Sequence, residues 1–415
     1  MKIAIVGSGI AGLTCAYLLN RQHDIQVFEA SDWIGGHTHT VDVQVEGRSY
    51  AIDTGFIVFN DWTYPNFIRL LEQIGVGFKP TEMSFSVSDP ATGVEYNGHD
   101  LNTLFAQRSN LLSPAFWGML RDILRFNRQS LDDLANNRIS ADTTLGQYLD
   151  SNGYGRRFIE HYIVPMGSAI WSMSLADMLG FPLQFFVRFC KNHGLLSVSD
   201  RPTWQVIEGG SRSYVAPLTA SFAERIRLNC PVSRVVRDQD GVTLHSAAGS
   251  ERFDKVIFAC HSDQALALLE QPSEQERDIL GALPYANNDV VLHTDTRLLP
   301  KRKLAWASWN YRLGGPREQM AAVTYDMNIL QGIDSATTFC VSLNQTAAID
   351  PSKILARFQY AHPQYSLAGT AAQARWEELL GAQHTYYCGA YWANGFHEDG
   401  VVSALRVARA FGETL

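Results

Sequence analysis

Three groups of residues have types and spacings that could do chemistry. The first is Gly7-Ser8-Gly9-Ile10-Ala11-Gly12, between a short apolar run, Lys2 to Val6, and a helical pattern, Leu13 to Asn20. A second apolar run, Asp24 to Ala30, carries Glu29, 22 residues after Gly7. Strand, glycine turn, helix, strand and acid in that order make a dinucleotide-binding unit. Gly7 permits the tight turn, Gly9 lets a pyrophosphate approach the backbone, and Gly12 lets the helix pack on the strand. Ser8, Ile10 and Ala11 lie at a helix start, where free N–H groups and the positive dipole end favour phosphate. Glu29, followed by Ala30, would accept a bond from a ribose 2′-hydroxyl, and its charge disfavours a 2′-phosphate.

The second group begins six residues past Glu29. It is Gly35-Gly36-His37-Thr38, followed by a strand and then Asp53-Thr54-Gly55-Phe56. A plain nicotinamide dehydrogenase has no need of a second glycine pair there. The third group is the segment GAYWANGFHEDG at 389–400, with Tyr391, Trp392, Phe396, His397, Glu398 and Asp399 between glycines. A metal site is not expected, because three consecutive residues cannot all converge on one ion. In a doubly wound sheet, ligands sit at the carboxyl ends of strands and at helix N-termini. HTYYCG reads as such a strand and GVVSALRVARAF as such a helix, so the loop reads as a cofactor lid. Gly389, Glu398, Gly400 and Val401 would then face the cofactor. His397 is the candidate acid/base residue, with Tyr391 and Trp392 beside it as further catalytic candidates.

The elements that must position these groups fill a 415-residue chain, longer than one ordinary core requires, so two domains are expected. The net charge of −8 argues against a nucleic-acid partner. Six cysteines without a CxxC pair suit a reducing cytoplasm rather than a disulfide framework. No signal peptide or membrane-spanning run is apparent. The stretch 61–200 is helical in pattern and rich in aromatics. Helices are expected over 65–75, 112–128 and 179–191, the last two flanked by Arg121, Arg125, Arg128, Arg188 and Lys191. Strands are expected within 229–261 (three of them), in DVVLHTD, LAWASWNY and TTFCVSLN, and in HTYYCGAYW. The fold class is α/β: a Rossmann-like domain of 1–78, 205–270 and 380–415, interwoven with a mixed sheet-plus-helices substrate domain of 79–204 and 271–379.

The GG-His-Thr pair and the strand–glycine–loop–glycine–helix order near the C-terminus resemble motifs of the amine-oxidase superfamily of FAD enzymes. His37 stands where that family has Arg. IDTGFIVFN, PMGSAIWSM, WQVIEGGSRSYV, LAWASWNY and CGAYWANGFHEDG resemble one bacterial group, the flavin oxidoreductases encoded beside cyclopropane-fatty-acid-synthase-like methyltransferases. The resemblance implies FAD held at the residues above and at Val232, without a covalent link, since no attachment cysteine is in place. It also implies desaturation of a methylated or unsaturated acyl chain, a lipid substrate, a methyltransferase partner and contact with the inner membrane surface. True amine oxidases carry a lysine near the flavin and a Glu after the last strand's glycine. Here no lysine lies between Lys255 and Lys301, Asp289 falls in that region, and Tyr391 replaces the Glu. An amine oxidase and a flavin-bearing lipid-binding partner are the alternatives. Trp171, Trp204, Trp309 and Phe396 are the expected substrate-pocket aromatics. A long apolar cavity is expected to open near 112–128 and 179–191.

Overall fold

A computed structural model describes residues 1–314 and 320–415. One layer is a five-stranded sheet in the spatial order 226–227, 24–28, 2–6, 255–258, 385–387. All its pairings are parallel. The chain's first strand, Lys2–Val6, therefore lies in the middle. Its residues alternate between two cores. Ile3 and Ile5 pack with the helices Ile10–Leu19 and His397–Ala410, while Ala4 and Val6 pack on the opposite face with Phe28, Val235 and Ile279. Covering on both faces is why the strand reads as a continuous apolar run.

A second layer is a seven-stranded sheet in the order 354–363, 285–293, 340–343, 323–326, 309–312, 85–89, 94–97. The largest core joins it to the helices Pro114–Ala135, Val164–Trp171 and Leu183–Asn192. Pro114 occupies the first turn of its helix and Ser113 caps it, accepting from the Phe116 N–H at 3.3 Å. Among the described residues, no helix is long and apolar enough to cross a membrane.

Several expected elements shift. Within 229–261 there are four strands, because Gly249–Phe253 adds a polar edge strand that no apolar run announces. The helix expected from 179 begins at Leu183, after a short helix that ends at Leu179 and Pro182 at its cap. The last strand is only Thr385–Tyr387, since its partner strand ends at Phe258. In LAWASWNY, a helical turn at Lys303–Ala305 precedes the strand Trp309–Arg312. The chain also runs without a break across 78/79 and 204/205. Strands Phe78–Pro80 and Trp204–Ile207 pair there in a small three-stranded sheet with Val58–Asn60.

Candidate active site

The glycines of the first turn have two different jobs. A Cβ on Gly12 would lie 2.1 Å from the Gly7 carbonyl oxygen, and one on Gly7 would lie 2.8 Å from the Ala259 oxygen. Both are required by the protein's own packing, and Gly7 adopts φ +106°. A Cβ on Gly9 would meet nothing within 4 Å. Its open side is therefore free for a ligand. Gly35 bridges Gly9 in parallel fashion, and a Cβ on Gly36 would lie 3.2 Å from the Gly9 Cα. The two glycine motifs thus form one cradle of bare backbone. Glu29, buried at its rim, accepts from the Ser8 N–H at 2.9 Å, the Ser8 hydroxyl at 2.6 Å and the Ser31 N–H at 2.9 Å. A carboxylate offers about four acceptor sites, so one remains for a ribose hydroxyl. The segment before Val232 lies beside this acid, with the Cys230 N–H donating to the Glu29 carbonyl at 2.8 Å.

Segments 35–38 and 53–56 run together past the cradle. The Phe56 N–H donates to the His37 carbonyl at 2.7 Å, and a Cβ on Gly55 would lie 2.2 Å from that oxygen. The His37 ring meets two other histidines, His362 at 5.5 Å and His261 at 6.2 Å between centroids. Burial, and then the neighbouring imidazoles, lower all three pKa values, to about 4 for His37 and His261 and about 3 for His362. These rings are neutral at pH 7. The His37 Nε2 and the Tyr391 hydroxyl are buried without a hydrogen-bond partner among the described residues. Open backbone at Gly9, a spare acceptor on Glu29 and two orphaned polar atoms fit a bound dinucleotide.

Beyond the cradle stands an aromatic wall. Trp171 lies 4.5 Å from Phe181 and 4.8 Å from Phe189 between ring centroids, and Phe189 lies 5.3 Å from Phe396. His193 stacks on Phe189 at 3.9 Å and reaches Trp204 at 6.3 Å. The Trp171 indole N–H donates to the Asn394 carbonyl at 3.3 Å, tying the wall to the C-terminal loop. Tyr365 packs against Phe185 at 5.0 Å, and its hydroxyl is also unpartnered. At the foot of the wall, a cavity of about 370 Å³ is lined by Trp62, Tyr64, His193, Phe396, Glu398 and Asp399 among others.

Residues 10–327 match the family described as flavin containing amine oxidoreductases. The chain belongs to that family. It is accordingly a flavin oxidoreductase. Its fold is similar to solved structures across 99% of this chain and at least 98% of theirs. One is the CLA-producing fatty acid isomerase from P. acnes, at 16% identity and TM-score 0.70. Another is cyclohexylamine oxidase from Brevibacterium oxydans IH-35A, at 16% identity and TM-score 0.67. A third is putrescine oxidase bound to putrescine, at 15% identity and TM-score 0.68. No curated protein matches the sequence.

The flavin oxidoreductase places several candidate residues away from the roles the sequence suggested. His397 does not line the cavity. Its ring stacks on Phe56 at 3.4 Å, and its Nε2 lies 3.0 Å from the Thr38 hydroxyl and 3.3 Å from that of Tyr214. Burial holds its pKa well below the usual histidine value, so it is a neutral packing group. Glu398 turns from the glycine cradle to the start of helix Pro65–Gln73. There it accepts from the Asn66 side chain at 2.6 Å and the Phe67 N–H at 2.8 Å. Tyr391 and Trp392 lie in the core under the parallel sheet, with Tyr387 and Phe258, rather than on the wall. Gly400 does reach the cradle, since a Cβ there would lie 2.8 Å from Ile10 Cγ2. Trp309 stands apart, with its ring against Tyr325 at 4.9 Å. Helix Pro114–Ala135 does not line the 370 Å³ cavity, because Phe116, Met119 and Phe126 turn into the main core. Asp289 is exposed, while its neighbour Asn288 is buried with Nδ2 3.3 Å from the His362 Nδ1. Sequence reading missed His261, His362, Tyr365 and His193. The ACH at the end of strand Lys255–Phe258 was the one visible signal among them.

Proposed function

We propose that this protein holds FAD without a covalent link and dehydrogenates a methylated or unsaturated acyl chain. The observation that carries the substrate reading is the wall of Trp171, Phe181, Phe189 and Phe396, which meets the lid loop through the Trp171–Asn394 bond. The wall backs the 370 Å³ cavity, where Phe396, Trp62 and Tyr64 offer an alkyl chain dispersion contact, each CH₂ removed from water contributing about 0.8 kcal/mol. The Gly7–Gly12 turn and the Gly35–Gly36 pair cradle the pyrophosphate, Glu29 orients the ribose, and the His37 Nε2 and Tyr391 hydroxyl meet polar atoms further along. When bound, the flavin supplies a two-electron acceptor for hydride, leaving one proton to be taken from the adjacent carbon. His39, part-buried, bonded at 2.7 Å to the Tyr360 hydroxyl and 3.5 Å from the Thr54 hydroxyl, belongs to one chain of proton-carrying side chains beside segments 35–38 and 53–56. The likeness to a fatty acid isomerase is compatible with an acyl substrate. A methyltransferase that prepares the methylated chain is the partner this reaction calls for.

Amine oxidation is the second reading, favoured by Glu398 and Asp399 at the cavity. Both carboxylates already cap backbone. Asp399 accepts from the Phe396 N–H at 2.9 Å, and Glu398 accepts from residues 66 and 67. Burial raises Asp399 to about 7, which weakens it as a partner for an ammonium group. Two measurements separate the readings. Lipid mass spectrometry of a deletion strain is expected to show accumulated saturated or methylated chains and lost desaturated product. Anaerobic bleaching of the flavin by small amines, with unchanged lipids in the deletion strain, would replace the acyl reading. Heat or acid is expected to release free FAD, and flavin remaining on the precipitated chain would refute the non-covalent link.

A further inference from the structure

Large apolar side chains cluster on one outer face. Leu112 is 88% exposed, Leu101 76% and Trp117 50%, and Leu111 and Leu304 are exposed as well. These five come from three separate segments that the fold brings together. The short helix Leu101–Leu104 packs against the turn Lys303–Ala305. The Phe105 ring lies 5.5 Å from that of Trp117, and the Trp117 indole N–H donates to the Leu111 carbonyl at 2.9 Å. Trp117 thus has no polar group left for water, although half of its surface is exposed. A soluble surface rarely gathers such residues without a partner.

The charges around this face are mostly positive. Arg108, Arg121, Lys301 and Lys303 are at or beside it, and the Arg121 side chain is 81% exposed. Of the nearby acids Glu95 is buried, and the exposed Asp100 is engaged by backbone. Glu95 accepts from the Lys301 N–H at 2.7 Å and pairs with Arg302 at 2.9 Å, and Asp100 caps helix Leu101–Leu104. Against a chain of net charge −8, this is a locally cationic, greasy surface. Attraction between charges acts over roughly 8 Å at physiological salt, so the local sign prevails.

We propose that this protein docks on an anionic lipid surface through the face formed by Leu101, Leu111, Leu112, Trp117 and Leu304. The leucines and the indole enter the headgroup boundary, and the four cations meet lipid phosphates. Docking goes beyond the proposed reaction and does not depend on it, so its failure leaves that reaction standing.

The test uses the flavin-loaded protein and two vesicle types, pure phosphatidylcholine and phosphatidylcholine mixed with phosphatidylglycerol. Co-sedimentation is expected with the mixed vesicles, weaker as salt rises, and little with the neutral ones. Leu101→Asp combined with Leu112→Asp is expected to weaken binding by about tenfold or more. Arg121→Glu with Lys303→Glu is expected to abolish the preference for phosphatidylglycerol. Both pairs are exposed, so flavin absorbance and melting temperature are expected to stay unchanged. The proposal is overturned if the mixed vesicles do not bind, or if both variants bind like the original. It is also overturned if sedimentation velocity shows a dimer that the leucine variant splits, since the face would then cover a second copy.

Discussion

The glycine cradle and the aromatic wall solve opposite problems. In the cradle, side chains must be missing. Gly12 leaves room for the Gly7 oxygen, Gly55 for the His37 oxygen, and Gly9 for nothing the protein itself supplies. In the wall, side chains are everything. Trp171, Phe181 and Phe189 come from one stretch of chain and touch, through Phe189, the ring of the distant Phe396. A cofactor bound by every member of a family can be recognised by backbone, which varies little. An apolar substrate is recognised by area and shape, which vary freely. The same fold therefore accommodates proteins named for amines and for a fatty acid.

The sharpest way to break this contrast is within the cradle. Gly12→Val is expected to cost about 3 kcal/mol or more, because its Cβ would overlap a backbone oxygen that cannot move away. Insoluble or unfolded protein is the expected readout. Gly9→Val is expected to fold with an ordinary melting curve yet purify without flavin. If it retains flavin, the open side of Gly9 does not face the cofactor.

In the wall, Trp171→Ala removes a ring that is 4% exposed and is expected to cost about 3 to 5 kcal/mol. Flavin content is expected to persist, since the ring packs on Phe181, Phe186 and Phe189. A colourless variant with an unchanged melting temperature would reverse the assignment of the two regions.

The histidines give a pH test that spans both regions. Burial is the main cause lowering His37, His193, His261 and His293 to about 4, and His362 to about 3. Unfolded histidines take up protons below a pH of about 6.5, which the native state refuses. The unfolded chain thus binds more protons, and stability falls as pH drops from 6.5 towards 4. Asp53 and Asp326, raised to about 6, and Asp399, raised to about 7, act in the opposite direction, because the native state keeps their protons longer. Five groups outweigh three. Denaturant midpoints are expected to fall across this window, and a flat profile would mean the imidazoles are hydrated.

The smallest expected effect is at the joint between lid and cofactor half. Glu398→Gln removes the charge that caps helix Pro65–Gln73 and is expected to cost about 1 kcal/mol. Flavin content is expected to be unchanged. Loss of flavin here would restore the direct cofactor role suggested by its place in the lid.

The cradle was legible because its parts lie close in sequence and each glycine answers a local steric demand. The apolar strands of the parallel sheet were legible for the same reason. His261 and His362 were not, because only the fold brings residues so far apart to His37. The lid misled in a particular way. Seeing His397, Glu398 and Asp399 in a row gives no sign of which helix face each occupies, and His397 turned to Phe56 while Glu398 turned to Asn66. The wall's members were visible as aromatics, but Trp309 could not be told from Trp171 without knowing which sheet it joins.

The central place of strand Lys2–Val6 has a consequence for how the protein is made. Lys2 donates to the Asp254 carboxylate, 252 residues away, and the strand beyond that one is Thr385–Tyr387. At about 5 to 20 residues per second, the ribosome needs roughly 13 to 50 seconds to deliver the first of these neighbours. Until then, a strand of unpaired amides and apolar side chains has only Asp24–Phe28 beside it. Cofactor capture is thus a late event in the life of each chain. A cell short of chaperones is expected to lose this protein as nascent aggregates before it loses it by heat.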